Sequence, residues 1–430
     1  MKKIMCSFSI LIMVVFVGTL TSFSQEKTKK TVLSELIQVA LRENPQLKAA
    51  KNEWQAALKV IPQAKSLPDP MLSYAHFGQS IETRLGPQRN KVSLSQKFPF
   101  FGKLSLKSQM AKSAASIFEE QYRGIKAEIV LKVKRAYFSL FWFDRAIKIS
   151  HEEKGVLQRL AKIALKKYET GEANQQDVLK AQLEISKVLD KILILNQGKR
   201  TIAAGLNALL NRRPDSYLGE VEEFEVPELK VELEKLYQWA REMRPEMRKA
   251  QYLIEKNEKS LKLAKKNFFP DFKLMFDYID IGGGTTTHLK DGRNSWMASI
   301  GINIPIWRKK LHASEAEASI KLKASQDSYQ NVENETLSRV NELFFEVKTA
   351  TEEVNLYKYS LLPQAEQSFK ASEVGYLAGK VDFLNLLDSE RMILQIRIGY
   401  FKAVADLGKS HAQLERVVGR NLVEIVRSKE

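Results

Sequence analysis

Two long stretches of this chain carry apolar residues at helical spacing with almost nothing to interrupt them. From 103 to 168 there is no proline, and the only glycines are Gly124 and Gly155; from 309 to 376 the breakers are Pro363 and Gly375. A helix of about 65 residues would be roughly 100 Å long at 1.5 Å per residue, far more than a globular core can use. A shorter helical pattern precedes each stretch. Over residues 31–66, Leu33, Ile37 and Leu41 recur at i, i+4 and i+8 behind Thr31 as N-cap. This segment is expected to kink at Pro45 and loosen near Pro62. Its counterpart covers residues 233–267. Pro68-Asp69 and Pro270-Asp271 close the two, since proline bars the residue before it from helical geometry.

The period then changes to two. Phe272, Leu274, Phe276 and Tyr278 alternate with Lys273, Met275 and Asp277; Trp296, Ala298, Ile300, Ile302 and Ile304 alternate with Met297, Ser299, Gly301 and Asn303. Leu72, Tyr74 and His76, then Val92, Leu94, Gln96 and Phe98, repeat this less cleanly. Glycine-containing polar loops, 78–90 and 281–295, separate the members of each pair. Strands of roughly 8–11 residues are long enough to cross an outer membrane at a tilt.

These elements come in one order, twice. Asn44-Pro45 is answered by Arg244-Pro245, 200 residues on, and Pro68-Asp69 by Pro270-Asp271, 202 on. Pro99 is answered by Pro305, 206 on, and Tyr168-Glu-Thr-Gly171 by Tyr376-Leu-Ala-Gly379, 208 on. The slowly growing offset marks two copies of one unit. Pro363 falls opposite Gly155 at the offset of 208, so a bend is expected at that level in both long helices. The expected organisation is a leader at 1–24, a first repeat at 25–230 and a second at 231–430. Residues 211–215 and the acidic run 220–225 connect the repeats.

Composition narrows the class. Lys2 and Lys3 before an apolar run at 10–17, with small residues near Ser24, read as a secretory signal peptide. The only cysteine, Cys6, leaves with it, so the mature chain has no disulfide, zinc-thiolate site or cysteine nucleophile. Losing two lysines takes the formal charge from +17 to +15. A surplus of that sign suits nucleic acid or an anionic surface, but the charges alternate along most segments as on a solvated helix surface. The leader opposes a nucleic-acid partner.

Four amphipathic strands cannot close a barrel alone, and a sheet in lipid must leave no edge bare. Three protomers would supply twelve strands, an even number within the range of known barrels. The fold class is therefore mainly α, with two very long helical stretches and a small membrane β part closed by a homotrimer.

The paired repeat, the Asn-Pro, the Pro-Asp before a strand, the strand-to-helix proline and the two Tyr-x-x-Gly turns together resemble the outer-membrane efflux protein family, the TolC-like channels. The likeness runs from about Thr31 to Val418. It implies a passive exit duct, not an enzyme and without cofactor: a trimeric twelve-stranded barrel in outer-membrane lipid continuing into a long α-helical tunnel across the periplasm. It also implies two partners, a periplasmic adaptor and an inner-membrane transporter. By resemblance, Gly171, Glu172, Ala173 and Gly379, Lys380, Val381 form the adaptor-contacting tips. Charged Glu172 and Lys380 stand where many relatives carry an apolar residue. The acidic rings that narrow the pore fall at Asp388 and Asn385, where only Asp388 keeps the acid, and one charged ring is expected. The closed-state latch falls at Asp177 and Tyr376, with helix capping and interhelix packing as the competing reading. The stretch 96–104 resembles ducts serving heavy-metal pumps; drug efflux and type I secretion stay open, as does a periplasmic coiled-coil adaptor without a barrel.

No other motif completes a chemical site. Gly408-Lys409-Ser410 lacks the earlier glycine of a phosphate loop, since position 403 is Ala403. Gly282-Gly-Gly284 reads as a mobile strand-connecting loop. His76, His151, His288, His312 and His411 have no metal-ligand spacing. Met243 and Met247 read as one helical core stripe, and Tyr137, Phe138, Phe141, Trp142 and Phe143 as helix packing. Phe98, Phe100, Phe101, Phe268, Phe269 and Trp307 read as an aromatic girdle at the membrane boundary or a packed junction, which can coexist.

Overall fold

The computed structural model describes residues 32–222, 224, 228–284 and 286–422. The expected leader and Thr31 lie outside them. The first half runs α1 (Leu33–Glu43), α2 (Pro45–Lys65), β1 (Met71–Thr83), β2 (Gly86–Phe98), α3 (Lys103–Glu169) and α4 (Gln175–Leu209). The second runs α5 (Leu233–Met243), α6 (Pro245–Lys266), β3 (Phe272–Ile281), β4 (Ser295–Ile302), α7 (Arg308–Leu356), a π-helical turn (Tyr357–Leu361), α8 (Leu362–Leu377) and α9 (Phe383–Val418).

Several elements differ from expectation. The chain breaks before Pro45 rather than kinking: Asn44 is extended, and its side chain accepts from the Leu47 N–H at 3.1 Å to cap α2. Arg244 breaks the second copy the same way. Met243 and Met247 thus sit on different helices, the first half-exposed and the second buried. Pro62 stays inside α2. The expected loop at 78–90 is mostly strand, with β1 and β2 meeting in a tight turn at Thr83–Gly86. Gly155 does not interrupt α3, whereas the second copy carries its irregularity just before Pro363. Proline removes a donor and crowds the carbonyl four residues back; one wider turn relieves both.

The sheet is antiparallel in the order β1-β2-β3-β4, with β1 and β4 as free edges. Register sorts its two faces. Leu72, Leu94, Phe276 and Ala298 form one cross-strand row, and Tyr74, Val92, Tyr278 and Trp296 the next. Both rows face outward, with Leu72 and Trp296 about 70% exposed in the lone chain (71% and 67%). The opposite face carries Ser73, Ser93, Asp277 and Met297 in one row. Asp277 is buried there, accepting from Ser93 and paired with Lys91 at 3.2 Å. Apolar outside and polar inside is the alternation of a membrane barrel wall. The Gly282–Gly284 loop is tied down at both ends, Gly282 N–H to the Pro87 carbonyl and Gly292 N–H to the Leu85 carbonyl, each 2.8 Å.

At the junction of sheet and helices, Phe100 stacks on Phe269 at 4.7 Å while Phe101 and Trp307 stay exposed. The junction thus holds one packed aromatic pair and two exposed rings. Asp271 organises the joint: it accepts from the Phe100 N–H at 2.9 Å and from Lys103 Nζ at 2.7 Å. Further along, Tyr137, Phe138 and Phe141 close around Phe224 of the connector. Arg416 on α9 reaches Glu246 on α6 with two guanidinium nitrogens, at 2.6 and 3.3 Å. Burial pushes the Glu246 carboxyl up, but these bonds outweigh it and hold it at about 2. No helix among the described residues is long and apolar enough to cross a membrane, which says nothing of the strands.

One buried acid is poorly compensated. Glu153 is buried in the α3 core, and burial raises its carboxyl from 4.5 to about 7 against the weaker pull of Arg397 and Lys191. The folded state therefore holds a proton that the unfolded state has lost between those pH values. Its contribution is favourable below pH 4.5 and is lost as pH rises through about 7. Glu153→Gln should remove that part of the slope and stabilise the protein above pH 7 by up to about 3 kcal/mol. The difference in thermal midpoint between variant and parent across pH 5–8 checks this; a difference that does not vary with pH would refute it.

Candidate functional site

The long helices turn back at two matching ends. Gly171 and Gly379 both adopt left-handed backbone, φ 77° and 71°, and a Cβ on either would meet no neighbour, so conformation alone demands glycine there. The hydrogen bonds repeat at the offset of 208. Gly171, Glu172 and Ala173 N–H groups go to the carbonyls of Tyr168, Lys167 and Lys167, at 3.1, 2.7 and 3.2 Å. Gly379, Lys380 and Val381 go to Tyr376, Gly375 and Gly375, at 3.1, 2.8 and 3.2 Å. This is a helix-ending Schellman arrangement in duplicate. Glu172 and Lys380 project from these turns as exposed charges.

The helices leaving the turns differ in their caps. Asp382 caps α9 by accepting the Asn385 N–H at 2.8 Å, whereas Asn174, its counterpart before α4, makes no side-chain cap. Asn385 is thus the third residue of α9, exposed, and one turn before Asp388. Asp388 does not stand as a bare carboxylate: it accepts from Arg391 Nη1 at 2.9 Å on the same helix. Arg391 also donates through its other terminal nitrogen to Glu184 of α4, a buried acid that this bond holds below the usual carboxylate range. One guanidinium therefore neutralises Asp388 in part and clips α9 to α4.

Tyr376 lies deep in the core, with its ring against Phe383 at 5.3 Å and the Lys167 ammonium 4.7 Å from the ring centre. Lys167 Nζ also donates to the Tyr376 carbonyl at 2.9 Å. The phenol hydroxyl has no hydrogen-bond partner among the described residues. Burial raises its pKa, and the charge of Asp177 raises it further. Asp177 and Tyr376 are brought into electrostatic reach but not into a hydrogen bond within one chain. Around them lies a core drawn from both halves, including Leu157, Leu160, Val188, Leu386 and Leu387.

Sequence reasoning missed the clips between the halves. Arg391 with Glu184, Arg397 with Glu152 at 2.8 Å and Arg159 with Glu373 at 3.4 Å join residues 207, 245 and 214 positions apart. Nothing local announces them; only the alignment of the two copies brings those helices side by side.

The sequence profile of the outer membrane efflux protein family matches residues 36–212 and 236–420. The chain is 21% identical over 411 residues to the cobalt-zinc-cadmium resistance protein CzcC of Cupriavidus metallidurans, spanning 93% of this chain and 92% of that one. It is 20% identical over 403 residues to the outer membrane protein TolC of Vibrio cholerae, spanning 90% of each. The crystal structure of VceC, also from Vibrio cholerae, has the same fold, with a TM-score of 0.75 at 16% identity over 91% of this chain and 96% of that one. The long helical hairpins, the four-stranded amphipathic sheet and the matched profile agree, and the chain belongs to the outer membrane efflux protein family.

Proposed function

We infer that this protein is one third of a passive duct: a homotrimer whose twelve strands line a hole in the outer membrane and whose helices continue as a tunnel across the periplasm. The observation that carries this is the sheet with an apolar outer face, a polar inner face and two free edges. The tips at Gly171, Glu172, Ala173 and at Gly379, Lys380, Val381 meet a periplasmic adaptor that couples the duct to an inner-membrane transporter. The exposed Glu172 and Lys380 make that contact partly electrostatic. The duct supplies passage, not catalysis. Membrane fractionation with heat-sensitive trimer migration on gels tests this; a detergent-free soluble monomer would end it.

The resting duct narrows at the level of Asp388 and Asn385. Three copies of Asp388 converging on an axis favour cations there, but each carries its own Arg391, so the field is weaker than bare carboxylates would give. Asp177 and Tyr376 act as the latch by holding the tip core shut, through packing and electrostatics more than a direct bond. The cargo we favour is a divalent metal cation. The near-full-length likeness to a protein named for cobalt, zinc and cadmium resistance supports this, as does the stretch 96–104. Restored cobalt, zinc or cadmium tolerance on complementing a duct-deleted strain would bear it out. Restored drug tolerance or polypeptide secretion alone would shift the reading to those cargoes.

Two gate predictions follow from the geometry. Asp388→Ala should raise single-channel conductance in planar bilayers and weaken cation block, while Arg391→Ala should strengthen block and loosen α9 by about 1–3 kcal/mol. Identical block in parent and both variants would remove this pair from the constriction. Asp177→Ala with Tyr376→Ala should admit more vancomycin into cells than either single change. Unaltered uptake by a correctly assembled double variant would count against the latch.

A further inference from the structure

The free edges of the sheet are related to each other by the same duplication that built the chain. β1 is the counterpart of β3 at an offset of 202, and β4 of β2 at 206. The structure tests those offsets. Moving the first hairpin's pairs Leu72↔Leu94 and Met71↔Ser95 by 202 and 206 gives Leu274↔Ile300 and Lys273↔Gly301, which are pairs of the second hairpin. The same shift applied to the joint between the repeats, where Leu94 faces Phe276 and Gln96 faces Leu274, brings Ile300 opposite Tyr74 and Ile302 opposite Leu72. In one chain those strands lie at opposite edges of the sheet. They can pair only between copies.

The residues that clamp the internal joint have counterparts left idle in the lone chain. Lys103, which grips Asp271, is 6% exposed. Its counterpart Lys309 is exposed, as is Asp69, the counterpart of Asp271, and neither has an ion-pair partner among the described residues. The Phe100–Phe269 stack is answered by Ile306 and Leu67, also exposed. The offsets thus put opposite charges and two bare apolar side chains face to face at the mouth of the same edge. One part is not repeated: the Ile306 N–H is turned onto the Ile304 carbonyl at 2.9 Å, so the amide that serves Asp271 in the internal joint has no equivalent here.

We propose that β4 of each subunit takes β1 of a second copy of this chain in a fixed register, Ile302 opposite the partner's Leu72 and Ile300 opposite the partner's Tyr74, clamped by Lys309 on the partner's Asp69. The inference rests on the duct reading and adds the register and the clamp. The paired edge continues the outer apolar face without a step, since Leu72, Tyr74, Ile300 and Ile302 all point to the same side. A slip by one residue would turn the partner's strand inside out; the charge clamp rules out slips by two.

Cys6, within the expected leader, is the one cysteine of the sequence, so pairs introduced in a Cys6→Ser background report cleanly. Leu72→Cys with Ile302→Cys should give disulfide-linked dimers and trimers on non-reducing gels from intact outer membranes. Leu72→Cys with Ile300→Cys, off register, should give little. Asp69→Lys and Lys309→Asp should each lower the temperature at which the native trimer dissociates, and the combined exchange should restore it. A trimer that forms but links at another register, or whose charge exchange restores nothing, overturns this inference and leaves the duct standing. Absence of any multimer in membranes removes both.

Discussion

A bare strand edge cannot be left in hydrocarbon, and the rest of this architecture answers that constraint. Half the residues of an edge strand point their N–H and C=O groups outward. The 8 residues of β4 alone therefore present about eight unmatched groups. At roughly 2–7 kcal/mol for each unpaired polar group moved into an apolar medium, the penalty reaches tens of kcal/mol. A whole domain is stabilised by only about 5–15 kcal/mol. The subunit is therefore not a stable object in lipid by itself; its fold and its assembly are one process. This also explains why the outer face can be so apolar in rows such as Tyr74, Val92, Tyr278 and Trp296. That surface has no use in water, and it is offered to lipid only once the edges are closed.

The helical part obeys a different rule. In water the backbone of α3 satisfies itself, so the long helices need neighbours only for their apolar stripes. Those neighbours come from both copies, with Leu157 and Leu160 of α3 packing in one core with Leu386 and Leu387 of α9. On this core sits a layer of ion pairs between the halves, Arg391 with Glu184 and Arg397 with Glu152. Apolar packing slides more easily than a directional, charge-assisted guanidinium hydrogen bond breaks. The layer therefore fixes how the two halves lie against each other at the tip end. Strong apolar packing with a few specific polar clips is what a wall needs if it must stay shut and yet move as a unit.

How much of this could be read beforehand depended on whether the signal was local. The two tip turns were legible because Tyr-x-x-Gly ends a helix through one left-handed residue, and Gly171 and Gly379 both do so. The uninterrupted helices were legible from the absence of proline. The distal half of the first hairpin was not: between Gly78 and Asn90 most side chains are polar, the pairing register shifts between His76 and Ile81, and the two-residue alternation disappears although the ladder resumes as far as Thr83↔Gly86. The break at Asn44 looked like a kink because proline alone does not say whether the residue before it will leave the helix to cap the next one. The π-helical turn before Pro363 has no pattern of its own. Arg391 appeared as one more basic residue on a helix, since its acid lies 207 positions earlier. For the site this left Asp388 looking like an unaccompanied charge, which it is not.

The two copies have not drifted evenly, and the unevenness has a direction. The joint inside the chain has an aromatic stack, a buried lysine and a backbone amide on Asp271. The matching positions at the free edge offer Ile306, Leu67, Lys309 and Asp69, with no amide to spare. Replacing a stacked aromatic pair by two aliphatic side chains forgoes about 0.5–1.5 kcal/mol beyond the change in buried area. The seam between subunits is then built as the weaker copy of the seam within them. Within one chain the two hairpins are already joined into one sheet, and the proposed seam is what a second copy would add at its edges.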